Sequence, residues 1–141
     1  MARKIAAMAM ALVALAVVAS AGAAPPKVPL GVFRTTITDA DLRAGGVTDL
    51  SENHGTYTLK LLGKGRWTFH QVARNYLQEP DHTGTYAVRA TGTTFTDTGF
   101  GVAFTARLSY DGKHLRFKIL KADIPELRVI FGAHPWTKVG G

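Results

Sequence analysis

Five histidines, His54, His70, His82, His114 and His134, are the first candidates for chemistry in this chain. Imidazole can ligate a metal or haem. No two of them stand in a His-x-His or His-x-x-x-His spacing. They read as surface or hydrogen-bonded residues, and only convergence across strands could build a site from them. Asp49, Ser51, Glu52 and His54 share one short stretch with the residue types of a hydrolase. A nucleophilic serine also needs a base held across a fold by a third group, beside an oxyanion hole. Ser51 sits on no such elbow, so the stretch reads as a polar loop. Glu79-Pro80-Asp81-His82 likewise reads as a proline turn before a strand rather than a pair of catalytic carboxylates. No metal site or cofactor is implied, and an enzyme is the less favoured class.

The chain has 141 residues, a formal net charge of +7, 46% hydrophobic residues and no cysteine. That length suits one domain. The absence of cysteine excludes disulfides, thiolate metal sites and thiol nucleophiles. Arg107, Lys113, Arg116, Lys118, Lys121 and Arg128 crowd the last third. They read either as a solvated outer face or as a surface for an anionic envelope component. Nucleic acid is disfavoured, because no recognised binding motif is present.

The first residues stand apart. Arg3 and Lys4 precede an unbroken apolar run from Ile5 to Ala19, and Ser20-Ala21-Gly22-Ala23-Ala24 follows. This order is that of a secretory signal peptide, with cleavage expected after Ala23. The run is shorter than the roughly 20 residues of a spanning helix. Residues 1–23 are therefore expected to be removed and the protein to be secreted. Residues 24–30, with Pro25, Pro26 and Pro29, read as an extended leader, and residues 31–141 as the domain.

Period-two alternation dominates that domain. Strands are expected at 31–37, 56–62, 66–72, 85–90, 94–98, 102–110, 114–121, 128–131 and 136–139. Gly63-Lys64-Gly65, Thr91-Gly92-Thr93 and Asp111-Gly112 read as hairpin turns. Thr38 to Ala44 reads as a helix, with Thr38 as N-cap, two acids in the first turn and Gly45-Gly46 as the stop. Ala122 to Leu127 reads as a short turn bent at Pro125. The expected architecture is all-β: an antiparallel up-and-down barrel of about eight strands with one short helix after the first. Its last strand must return beside its first, which sets Trp136 against the strand of Phe33.

A glycine followed two places later by an aromatic recurs in Gly31-Val32-Phe33, Gly55-Thr56-Tyr57, Gly65-Arg66-Trp67 and Gly84-Thr85-Tyr86. Together with the opening Gly31 to Ile37, the helix Thr38 to Ala44, Asn53-His54-Gly55-Thr56-Tyr57 and the ending His134 to Val139, the chain resembles lipocalin-like, calycin-type barrels. In particular it resembles small secreted actinobacterial proteins of that kind. Phe33 stands where a lipocalin carries tryptophan. A helix between the first two strands is also where fatty-acid-binding proteins have their lid. The resemblance implies a barrel fold and a small ligand.

If the dry faces line a cavity, the ligand-binding set is Tyr57, Trp67, Phe69, Tyr86, Phe104, Leu108, Leu115 and Phe117. A filled core is the alternative. A bound acid would need a cation reaching inward, and Arg34 and Arg128 are the candidates, because Arg107 and Arg116 fall on the wet face. The favoured function is a secreted barrel that binds a small apolar or amphipathic molecule. The alternatives are an envelope interaction or inhibitor protein with a solid barrel, and an isomerase or cyclase on the same barrel.

Overall fold

In Gly31–Ile37 the side chains of Phe33, Thr35 and Ile37 are buried while Arg34 and Thr36 are exposed, so one face of this strand, β1, turns inward. In the computed structural model, which describes residues 27–72 and 81–141, seven further strands continue the pattern. They are β2 (Gly55–Leu62), β3 (Arg66–Val72), β4 (His82–Arg89), β5 (Gly92–Asp97), β6 (Val102–Tyr110), β7 (His114–Ala122) and β8 (Trp136–Gly140). Each pairs antiparallel with its neighbour in sequence, and β8 pairs with β1, so the sheet closes into a barrel. Closure leaves no free sheet edge. The signal-peptide segment, the first part of the leader, and Glu79 and Pro80 lie outside the described residues. No helix among the described residues is long and apolar enough to cross a membrane.

Helix α1 (Asp39–Ala44) follows β1. The Thr38 hydroxyl accepts the Asp41 amide, and an Asp41 carboxylate oxygen accepts the Thr38 amide. This capping box satisfies two donors that a helix start leaves open. The stretch from Asp49 to His54 is not a loop but a second short helix, α2 (Leu50–Asn53), capped by Asp49.

The expected strand at 128–131 is a helix. α3 (Pro125–Gly132) runs through it and buries Val129, Ile130 and Phe131. A short apolar run rich in branched and aromatic residues does not distinguish strand from helix. Pro125 is a helix-start residue rather than a bend, since its missing N–H has no role in the first turn. Arg128 is therefore exposed on α3, not on a penultimate strand, and Arg34 faces outward.

The β4–β5 turn also differs from expectation. Arg89 pairs with Gly92, so the turn is Ala90-Thr91 and Gly92 opens the next strand. Gly31 and Gly55 open β1 and β2 at φ +140° and +133°. Gly84 serves differently. A Cβ there would collide with the Trp67 ring and the Thr96 carbonyl, so glycine lets the indole lie against β4.

The β6–β7 turn carries a titratable cap. An Asp111 carboxylate oxygen accepts the Lys113 and His114 amides at 2.8 and 2.6 Å. The His114 amide, the Lys113 amide and the His114 ring hold the carboxyl down to about 2. The folded value lies below the unfolded one, so this stabilisation is complete above the ordinary carboxylate range. It is lost as pH falls from about 4 towards 2. The stability difference between the protein and Asp111→Asn, read from urea midpoints, should therefore shrink over that window. A difference independent of pH would show that the carboxylate charge plays no part in the turn.

Candidate functional site

All three helices and the β5–β6 junction gather at one end of the barrel, where β1, β3, β5 and β7 finish. The aromatic core fills the interior below them. Phe95 stacks on Phe104 at 5.0 Å, and Phe131 of α3 stacks on Phe104 at 4.3 Å and on Trp136 at 5.4 Å. Trp136 is fully buried on β8, whose strand lies beside β1.

Beside this plug lies a pocket of about 570 Å³. The barrel supplies Tyr57, Trp67, Phe69, Gln71, His82, Asp97 and Val102. α2 and its cap supply Asp49, Glu52 and Asn53, and the β5–β6 turn supplies Phe100. α3 and its cap supply Ile124, Glu126, Leu127, Ile130 and Phe131. Of the expected ligand set, Tyr57, Trp67 and Phe69 line this pocket. Phe104, Leu115 and Phe117 are buried in the packed core, and Tyr86 and Leu108 pack against it half-buried.

The pocket wall is well anchored. The Tyr57 hydroxyl donates to the Asn53 carbonyl at 2.5 Å, and burial pushes its phenol above the ordinary value. The Gln71 amide donates to the carbonyls of Glu52 and His54, tying α2 to β3. The Trp67 indole N–H donates to the Thr85 carbonyl at 3.0 Å.

On one wall His82 and Asp97 face each other, with His82 Nδ1 2.6 Å from an Asp97 oxygen. The other Asp97 oxygen accepts the Gly99 and Phe100 amides at 2.9 and 3.0 Å. The His82 ring is stacked on Phe100 at 4.7 Å and edge-on to Phe69 at 5.7 Å. Sequence spacing did not single out this pair. Its only sequence signal is the β4–β5 register, in which Gly84 opposite Asp97 makes His82 a diagonal neighbour.

The same pattern holds for the other histidines. His54 pairs with Asp39, His70 with Asp81, His114 with Asp111 and His134 with Asp41. For Asp41, burial raises the carboxyl, but the Thr38 amide, the His134 ring and the Thr38 hydroxyl outweigh it and leave it lowered. Each ion pair among the described residues thus joins a histidine to an aspartate. Asp123 accepts the Ala103 amide. The acids are largely committed to histidines and amides, while no described lysine or arginine is in an ion pair. Among the described residues, no group of three or more histidines and acids is arranged to hold a metal.

The arrangement can bind and can accept a proton. The described lining contains no serine, threonine or lysine to act as nucleophile, and no lysine or arginine to meet a carboxylate. The inward cation needed for a bound fatty acid is therefore not supplied by Arg34 or Arg128. No protein-family model matches the chain, and no curated protein or solved structure is detectably similar to it. The architecture, a closed antiparallel barrel of eight strands in sequential order, is compatible with a lipocalin-like fold.

Proposed function

We propose that this chain is a secreted, lipocalin-like barrel that binds one small apolar or amphipathic molecule in the pocket at its helical end. The observation that carries this reading is the pocket itself. Its volume of about 570 Å³ falls in the range of small-molecule sites, which are mostly apolar with a few placed polar groups. Tyr57, Trp67, Phe69 and Phe131 supply flat apolar walls, and Gln71, His82 and Asp97 supply the polar points.

The test is a titration of the purified protein carrying Trp136→Phe, so that Trp67 is the single tryptophan. Decanol and decanoate are the probes. Decanol should change Trp67 emission at concentrations where decanoate does not, because the described lining offers a carboxylate no lysine or arginine. Failure of the folded protein to take up any apolar probe would remove the reading.

A second reading is supported by the charge distribution. With the acids engaged elsewhere, Arg107, Arg116, Lys118 and Lys121 stand exposed on adjacent strands β6 and β7. Arg107 is directly opposite Lys118, a like-charge pairing that costs stability. A surface of this kind attracts an anionic envelope polymer. Steeply salt-dependent retention on polyglutamate, without uptake of apolar probes, would make it the better account.

A further inference from the structure

We propose that His82 is the polar anchor of the pocket, and that it selects ligands whose polar end donates a hydrogen bond, such as a phenol or enol on a flat apolar body. The inference rests on the pocket being a binding site and adds the ligand class. A carboxylate can only accept hydrogen bonds. Asp97 therefore requires His82 to carry its proton on Nδ1, the atom 2.6 Å away. In a neutral imidazole the other nitrogen, Nε2, is then an acceptor. Nε2 of His82 has no hydrogen-bond partner among the described residues, and the ring lines the pocket with its side chain 19% exposed. His54 is different, because its Nε2 is buried without a partner and lines no part of this pocket.

The orientation is held from several sides. Phe100 covers one face of the His82 ring, and Phe69 meets it edge-on. Asp97 is itself fixed by the Gly99 and Phe100 amides and is only 7% exposed. The rest of the wall suits a flat body, since Trp67, Phe69 and Phe131 present rings. Asp49, Glu52 and Glu126 are the other charged groups of the described lining, and none of them adds a cation that could hold an acid.

The geometry also says how to invert the preference. In Asp97→Asn the side-chain oxygen is drawn to the two amides that the present oxygen serves. The NH2 group then faces His82 Nδ1 and donates to it. Nδ1 must accept, the proton moves to Nε2, and the pocket presents a donor in place of an acceptor.

The experiment compares 2-naphthol, which donates, with 2-methoxynaphthalene, which only accepts. The unaltered protein should bind 2-naphthol about tenfold more tightly, the scale of one hydrogen bond. Asp97→Asn should erase or reverse that ratio. His82→Phe should bind both probes equally. Nitrogen-15 NMR of the histidine ring should show a protonated Nδ1 in the unaltered protein, which gives a reading even where Asp97→Asn does not fold. Equal affinities in the unaltered protein, or a tenfold preference that survives His82→Phe, would overturn the inference while leaving the pocket intact. Uptake of neither probe by the folded protein would remove the pocket reading and this inference with it.

Discussion

Trp136→Ala should lower stability by about 3–5 kcal/mol, the cost of truncating a fully buried tryptophan. The indole is 0% exposed and stacks on Phe131, with Phe117 and Phe69 as further ring neighbours. Its N–H donates to the Phe131 carbonyl at 3.3 Å, which pins the end of α3 to β8. Alanine leaves a void on the inner face and an unpaired carbonyl above it. The position also bears on closure. The β7–β8 seam pairs His114 with Thr137 and Leu115 with Trp136, and the Lys138 amide donates to the Lys113 carbonyl at 2.7 Å, so few pairings hold the last strand from that side. A domain of this size has total stability on the order of 5–15 kcal/mol, so the variant should sit close to unfolding. At about 4 °C per kcal/mol or more, the melting temperature should fall by at least about 12 °C. Amide exchange at Thr137 and Lys138 should accelerate more than exchange at β2–β3. An unchanged melting temperature would show that the barrel closes without this residue.

Most of the barrel was legible because one face is dry. The alternation in β6 and β7 sets Phe104, Ala106, Leu115 and Phe117 inward, and no other register buries them together. The capping residues of α1 were equally direct, since a capping box is a local device. Parity puts Trp67 and Phe69 on one face of their strand, and both turn inward. What escaped depended on contacts distant in sequence. Val129-Ile130-Phe131 reads as a strand until it is known that a barrel end needs covering. The His82–Asp97 pair requires the true β4–β5 register, and a turn placed at Thr91-Gly92-Thr93 shifts that register and hides the pair. The five histidine–aspartate pairs were invisible for the same reason, except Asp111 with His114, three residues apart.

Phe131→Ala should destabilise the fold by a similar amount, about 3–5 kcal/mol, yet raise the affinity for small apolar molecules. Its ring is 1% exposed and lies against Phe69, Phe104, Phe117 and Trp136 at once, so it joins α3 to both halves of the barrel. The same ring borders the pocket. Truncation therefore opens a void continuous with the pocket rather than a sealed one. A ligand that fills it recovers contacts the mutation removed. Binding to the folded state alone stabilises by about 2.7 kcal/mol at a ligand concentration one hundred times Kd. Toluene should thus raise the melting temperature of Phe131→Ala more than that of the unaltered protein. Val129→Ala is the control, since Val129 is buried on the same helix but lines no part of the pocket. It should lose stability without gaining toluene rescue. Equal rescue in both variants, or none in either, would separate the α3 plug from the pocket and place the binding volume elsewhere in the barrel.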